Sequence, residues 1–463
     1  MTLPAPVGRQ SNVIFLPPNG HQVVLGTAGS GKTTMAMLRA QRLAASTTVN
    51  SGPVLLVTYN NALVTYLEYI KPASARNVTI RTYARFARGY LNSLGKMPPR
   101  NGIVTSNQRR IWIEMAIKEV AQRYKPHAFF GRDLGFFLDE LEWISGMGVS
   151  TLEDYLRMPR VGRERALAGK SQEIVWQILL EYRNLYAKAG RRNDWYDLAT
   201  SVRRELAQDM RPRMYRHIVI DEGQDLSPES IRSLVEAVDP AGSVTFFGDY
   251  HQMIYGQGMS WRSCGLKIRR VEKFAENYRN TAEIARLAIA MSRMPHMAGD
   301  PADLVEPSEP RAAGTRPTLV QCGSEAHEME VVRAQALDYA RNGTVAVLAR
   351  TWDDARRVCA GLSVRQLHTD LSRWDTSPGI YCGAYHSAKG LEFDAVIMPL
   401  CGATRMPQPD KVKAFGPGDA AAREGRLLYV AITRARSDLL ITYSGTVTPL
   451  LPHDDALYAK VTP

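Results

Sequence analysis

Apolar positions along the chain fall into short unbroken runs separated by stretches of helical spacing. The run from His21 to Leu25 leads into a glycine-rich turn, followed by helical spacing from Lys32 to about Ala45. A second run, Val54 to Val57, and a third, His217 to Ile220, have the same continuous character, and the third ends in Asp221-Glu222. Unbroken apolar strands alternating with helices predict a parallel sheet covered on both faces. Between Ser106 and Gln208 the pattern changes to helical periodicity, with Ser106-Asn107 as the expected cap of a helix carrying Ile111, Trp112, Met115 and Val120. Strands return at Val244 to Phe247, and a second set includes Val345 to Leu348 and Ala395 to Pro399. Prolines 295, 301, 307, 310 and 317 mark residues 291 to 317 as an irregular excursion.

This layout predicts an α/β protein with two parallel-sheet lobes and a helical insertion in the first. The expected bounds are 1–90 and 212–268 for the first lobe, 91–211 for the insertion and 269–463 for the second lobe. A chain of 463 residues is long enough for two or three such units, each with its own core. Hydrophobic residues at 45% and charged residues at 22% are globular values, which excludes a disordered or fibrous chain. No apolar run is long enough to cross a bilayer and the start lacks a signal-like pattern, so no membrane association and a cytoplasmic location are expected. Cys264, Cys322, Cys359, Cys382 and Cys401 are scattered without a close pair, which argues against a zinc site or a disulfide framework. The formal charge of +12 favours a polyanionic partner, because neutralising phosphates releases counterions.

Two sites carry the chemistry. Gly26-Thr27-Ala28-Gly29-Ser30-Gly31-Lys32-Thr33, followed by Thr34, fits a phosphate loop between a strand and a helix. Its backbone N–H groups can wrap phosphate oxygens at a helix N-terminus, Lys32 can reach the β and γ phosphates of ATP, and Thr33 can hold Mg²⁺. An acidic turn after a strand is by itself most often a solvated loop. Beside a phosphate loop, Asp221 becomes a candidate Mg²⁺ support and Glu222 the group that orients or deprotonates the attacking water.

Further segments follow in order: Asp221-Glu222-Gly223-Gln224-Asp225, Gly248-Asp249-Tyr250-His251-Gln252-Met253-Ile254-Tyr255, Asn277-Tyr278-Arg279, Ala346-Val347-Leu348-Ala349-Arg350, His386-Ser387-Ala388-Lys389-Gly390-Leu391-Glu392-Phe393 and Leu428-Tyr429-Val430-Ala431-Ile432-Thr433-Arg434-Ala435-Arg436. Together with the phosphate loop they resemble the UvrD/PcrA/Rep group of superfamily 1 DNA helicases. The resemblance implies two RecA-like lobes of the P-loop NTPase type and ATP hydrolysis coupled to 3′ to 5′ movement on single-stranded DNA. It implies that Arg279 and Arg434, from the second lobe, act as arginine fingers, that Gln252 senses the γ-phosphate, that Tyr278 stacks on adenine and that Glu392 accepts from the ribose. Gln10 would read the adenine edge. It also places Tyr59, Asn60, Asn61, Thr82, Tyr83, Tyr255 and His386 along the DNA. Independently, Arg81, Arg85 and Arg88 share one helical face, with Tyr83, Phe86 and Tyr90 toward the other, and such a stripe can follow a phosphate backbone or face solvent.

The sequence departs from that family in four places. Only residues 351–385 separate the AVLxR and HxxKGLEF segments, where larger members insert a helical accessory domain, so translocation is expected over strong autonomous unwinding. Gln257 replaces the aromatic that usually follows the Ile-Tyr pair, with Trp261 nearby. Gly425 stands where an arginine usually precedes a strand containing LLYVA. Little sequence follows Arg436, so no appended nuclease is expected. Such a compact form resembles the helicase subunit of the Gabija antiphage system, which works with a separate nuclease. The alternatives are a nucleic-acid-gated ATPase subunit without sustained unwinding and an RNA motor.

Overall fold

The computed structural model describes residues 5–97, 102–125, 127–160, 167, 169–249, 262–268, 270–297, 312–368 and 371–462. The first sheet is formed by β1 (Gly20–Gly26), β2 (Val54–Thr58), β3 (Val78–Thr82), β4 (Tyr215–Ile220), β5 (Val238–Gly248) and β6 (Val271–Phe274). These six strands are parallel in the order β3-β2-β4-β5-β1-β6. The unbroken apolar runs have a simple cause, visible in β2. Val54 and Leu56 pack on one face with Met35 and Leu63, while Leu55 and Val57 pack on the other with Phe86 and Val202. Both faces are covered, so no position on the strand can be polar at low cost. Strand β6 lies beyond residue 268, yet its pairing with β1 extends the first sheet to Phe274.

The second sheet comprises β7 (Thr318–Cys322), β8 (Thr344–Ala349), β9 (Val364–Gln366), β10 (Gly379–Ala384), β11 (Phe393–Met398), β12 (Ala435–Ser444) and β13 (Ala459–Val461). It is also parallel, in the order β13-β7-β12-β11-β8-β10-β9. The two α/β sheets are the lobes expected from the strand–helix alternation. The segment around Leu428 to Ile432 is not a strand but the end of the helix Pro417–Ile432. Gly425 faces His296 within that helix, and a Cβ there would lie 2.4 Å from the imidazole Cδ2.

Between β3 and β4 the chain forms helices Ser106–Ala121, Leu134–Met147, Leu152–Arg157, Gly169–Lys188 and Leu198–Leu206. The first four enclose a core of their own around Ile113, Phe137, Trp143 and Trp176, whereas the last packs Leu198 and Val202 into the first lobe. The cap of the first helix is Thr105, not Ser106. Thr105 Oγ1 accepts from Gln108 N at 3.3 Å and the Gln108 side chain accepts from Thr105 N at 3.1 Å, so a reciprocal capping box sets the boundary one residue earlier.

Outside the sites, further contacts join distant parts of the chain. Arg423 on the helix Pro417–Ile432 donates to both oxygens of Asp139 in the helical insertion, at 2.7 and 3.1 Å. Residues 371–376, in the segment where larger relatives were expected to carry an accessory domain, cross to the helix Asn61–Ile70 of the first lobe. Thr65 Oγ1 donates to Leu371 O at 2.9 Å, and Trp374, buried against Tyr381 at 5.0 Å, meets Tyr66 edge-on at 5.3 Å. All five cysteines are buried and none forms a disulfide. Among the described residues no helix is long and apolar enough to cross a membrane.

Candidate nucleotide site and nucleic-acid cleft

The phosphate loop follows β1 and ends at the helix Lys32–Ala44. Gly29 and Gly31 have φ of +77° and +81°, conformations that a side chain would strain. Space is also lacking at Gly29, where a Cβ would lie 2.0 Å from Asn277 Oδ1. Lys32 is buried inside the loop and donates to Gly26 O at 2.8 Å and Thr27 O at 2.6 Å, with Asp249 Oδ2 at 3.4 Å. Burial lowers its ammonium pKa, opposed by Asp249 and Glu222, and Arg279 and Arg434 lower it further. The charges of Arg279 and Arg434 therefore reach the phosphate loop.

Gln10 is buried against the same loop. Its Nε2 donates to Ser30 O at 2.9 Å while its Oε1 accepts from Val7 N at 3.0 Å. Arg39 fixes this N-terminal segment by donating to Ile14 O, Leu16 O and Pro17 O. The ring of Tyr278 is 47% exposed, with its hydroxyl beside Gly8. Gln10 and Tyr278 thus flank the loop from opposite segments.

Asp221 and Glu222 leave the end of β4. Burial and the neighbouring Glu222 charge push the Asp221 carboxyl upward, against a hydrogen bond with Thr33 and the attraction of Lys32. Asp221 Oδ2 is buried without a hydrogen-bond partner. A buried acceptor of this kind beside a threonine hydroxyl suits Mg²⁺, which takes few protein ligands and completes its shell with phosphate and water. Among the described residues no group of three or more His, Cys, Asp or Glu side chains forms a metal cluster.

Glu222 adopts a left-handed conformation with φ +54°, a strain that persists where surrounding structure fixes it. Gln224 donates to the Glu222 carboxylate and accepts from Asp249 N at 3.0 Å, linking two segments of the site. Lys389 of the second lobe is completely buried against this turn, 2.6 Å from Asp225 Oδ2 and 3.9 Å from Glu222 Oε2. Gln224, Asp225 and Lys389 were not among the residues selected from sequence. They stand in the matching segments, but nothing in those segments indicates that they meet.

Arg279 differs from expectation in its origin. It belongs to the crossing between the lobes rather than to the second sheet. Tyr278 N donates to Gly29 O at 2.9 Å, and two residues on, Asn280 donates to Thr433 O and Ala435 O. Arg279 Nε donates to Glu392 Oε2 at 2.6 Å, and Arg436 occupies the other oxygen of that carboxylate. Burial would raise the Glu392 pKa, but Arg279 and Arg436 outweigh it and hold it down to about 2. Arg434 is buried, donating to Val430 O at 2.9 Å, Leu391 O at 3.2 Å and Thr433 Oγ1 at 3.0 Å. Burial and Arg279 lower its pKa to about 10, while Glu222 and Asp249 oppose that fall. Gln252 and Tyr255, with Gln257 and Trp261, lie outside the described residues.

A cleft of about 500 Å³ opens between the lobes and is lined by Tyr59, Asn60, Asn61, Thr82, Tyr83 and His386. These are the described members of the expected DNA set. Thr82 caps the helix Tyr83–Ser93, and Asn60 caps the helix Asn61–Ile70 through its Oδ1. Asn60 Nδ2 also donates to Lys389 O at 3.3 Å. Burial and Arg350 lower the His386 pKa, so its imidazole is neutral at pH 7. The cleft adds Tyr196, Trp352 and His368, which sequence reading did not select. Of the proposed basic stripe, Arg85 and Arg88 are exposed on the helix Tyr83–Ser93, but Arg81 lies on β3 because the helix starts at Tyr83.

Residues 8–278 match the UvrD/REP helicase N-terminal domain, and residues 369–446 match the UvrD-like helicase C-terminal domain. The chain is 24% identical to the ATP-dependent DNA helicase UvrD2 of Mycobacterium tuberculosis over 95% of its own length and 79% of that protein. It is 23% identical to DNA helicase II of Haemophilus influenzae over 58% of its own length, covering only 38% of that relative. The first of these family matches spans more than half of the chain and the second falls on the other lobe, so the chain belongs to the UvrD/REP helicase family.

Proposed function

We propose that the protein is an ATP-dependent single-stranded DNA translocase or helicase. The observation that carries this reading is the short path between the two sites. Asn60 in the cleft bonds to the backbone of Lys389, whose ammonium lies between Asp225 and Glu222 beside the phosphate loop. A strand entering the cleft displaces groups that hold the catalytic carboxylates, which couples DNA binding to hydrolysis.

In this reading Lys32 and the loop N–H groups bind the β and γ phosphates, and Thr33 and Asp221 hold Mg²⁺. Mg²⁺ held there would neutralise phosphate charge. Glu222, whose carboxylate accepts from Gln224, orients the attacking water and accepts its proton. Arg279 and Arg434 stabilise the γ-phosphate charge, and Arg279 must exchange Glu392 for phosphate to do so. Glu392 is then free to accept from the ribose, Tyr278 stacks on adenine and Gln10 reads its edge. Gln252 senses the γ-phosphate, and Tyr59 and Tyr255 offer stacking surfaces to bases, each such stack worth about 1–3 kcal/mol.

The family resemblance implies the finer parts of the proposal, 3′ to 5′ movement and action beside a separate nuclease in antiphage defence or DNA repair, and a cytoplasmic location completes it. The test is the steady-state ATPase rate with and without single-stranded DNA. Strong stimulation in the wild type, lost in Lys32→Ala and Arg434→Ala, is expected. Equal rates with and without DNA would reject coupling, and stimulation by matched RNA alone would replace DNA as the track.

A further inference from the structure

A second cavity, of about 420 Å³, lies along helix Tyr83–Ser93 and shares no lining residue with the interlobe cleft. Its floor is apolar: Phe86, Leu206 and Tyr215 are buried there, and Met214, 62% exposed, stands at the rim. The charged wall is cationic, with Arg81, Arg211 and Arg213 against Asp209. Two of these arginines are committed. Arg211 is paired with Asp209, and Arg213 donates to Asp209 O and Leu206 O. Tyr90 Oη takes the second oxygen of Asp209 at 2.9 Å.

Arg81 is different. Among the described residues its guanidinium has no hydrogen bond or ion pair, although it is half-buried in the cavity wall. Room for it is made by Gly89, where a Cβ would lie 3.1 Å from Arg81 Nη1. A glycine inside a helix costs about 1 kcal/mol relative to alanine. Here it keeps a side chain off an uncommitted cation at the edge of an apolar hollow.

We infer that this cavity binds a small amphiphilic anion, a planar or short alkyl body carrying one carboxylate or phosphate, with the anion on Arg81 and the body on Phe86, Leu206 and Tyr215. Arg81 directly precedes Thr82, which lines the cleft and caps the helix that walls both cavities, so occupancy is felt at the cleft.

The probe is anilinonaphthalene sulfonate, which combines an apolar ring system with one anionic group, read by fluorescence titration of the full chain. One saturable component is expected, displaced by phenyl phosphate and not by phenol. Arg81→Gln weakens it about tenfold, the loss of one charge-assisted contact. Met214→Glu at the exposed rim weakens it by repulsion, and Arg85→Gln leaves it unchanged. Wild-type affinity in Arg81→Gln overturns the proposal, as does displacement of the probe by single-stranded DNA, which would place Arg81 on the strand's path.

Discussion

Lys389 and Asp225 approach to 2.6 Å with both side chains wholly removed from water, although they belong to different lobes. Opening a buried ion pair from one side leaves an uncompensated charge, at a cost of about 3–5 kcal/mol. Lys389→Met is therefore expected to lower unfolding free energy by that amount and to abolish DNA-stimulated hydrolysis. Adding Asp225→Leu should recover most of the stability and none of the hydrolysis. Urea unfolding of the single and double variants beside their ATPase rates checks both, and a single variant as stable as wild type would show that the pair contributes nothing.

Glu392 titrates near 2 in the folded chain against an ordinary value of 4.5. A depressed carboxyl adds stability that is complete above the ordinary value and disappears as pH falls through the folded one. Acid unfolding should accordingly steepen between about pH 4.5 and 2. In Glu392→Gln that part of the pH dependence should vanish, as read from stability curves taken across this interval.

Gly425→Arg would install the residue expected from the family at the point where His296 leaves no room for a Cβ. Overpacking of this kind costs about 1–3 kcal/mol. The variant should have a lower Tm than wild type, whereas Gly425→Ala should show a smaller loss. Equal Tm values for all three would mean that His296 moves aside freely.

Trp374 fills the junction between Tyr66 of the first lobe and Tyr381 of the second. Trp374→Ala should cost about 3–5 kcal/mol, and Trp374→Phe much less because the ring remains. Thermal unfolding gives the order. A Trp374→Ala chain with unchanged stability would show that the crossing segment does not hold the lobes.

The local structure was legible in the sequence. The phosphate loop, the acidic turn and the parallel strands depend on spacing over a few residues, and all stand where spacing put them. Contacts between lobes were not legible, because no periodicity links Lys389 with Asp225 or Trp374 with Tyr66. Tyr196, Trp352 and His368 escaped for the same reason: Tyr196 belongs to the helical insertion and the other two to the second lobe, and only folding gathers them around one cleft. Arg81 was assigned to a helix because i, i+4, i+7 spacing ignores where Thr82 caps it. The six-strand first sheet reaches past the expected lobe boundary since β6 is an edge strand of only four residues, Val271–Phe274, with little pattern to read.

The Asp139–Arg423 pair has a mechanical corollary. The helical insertion is rooted in the first lobe, and this bidentate contact fastens its helix Leu134–Met147 to the helix that leads directly into Arg434. A body held at two points on two moving parts acts as a connecting rod. Any rotation between the lobes must strain the rod, bend it or release Arg423, and a load applied to the insertion is transmitted to the arginine beside the phosphate loop.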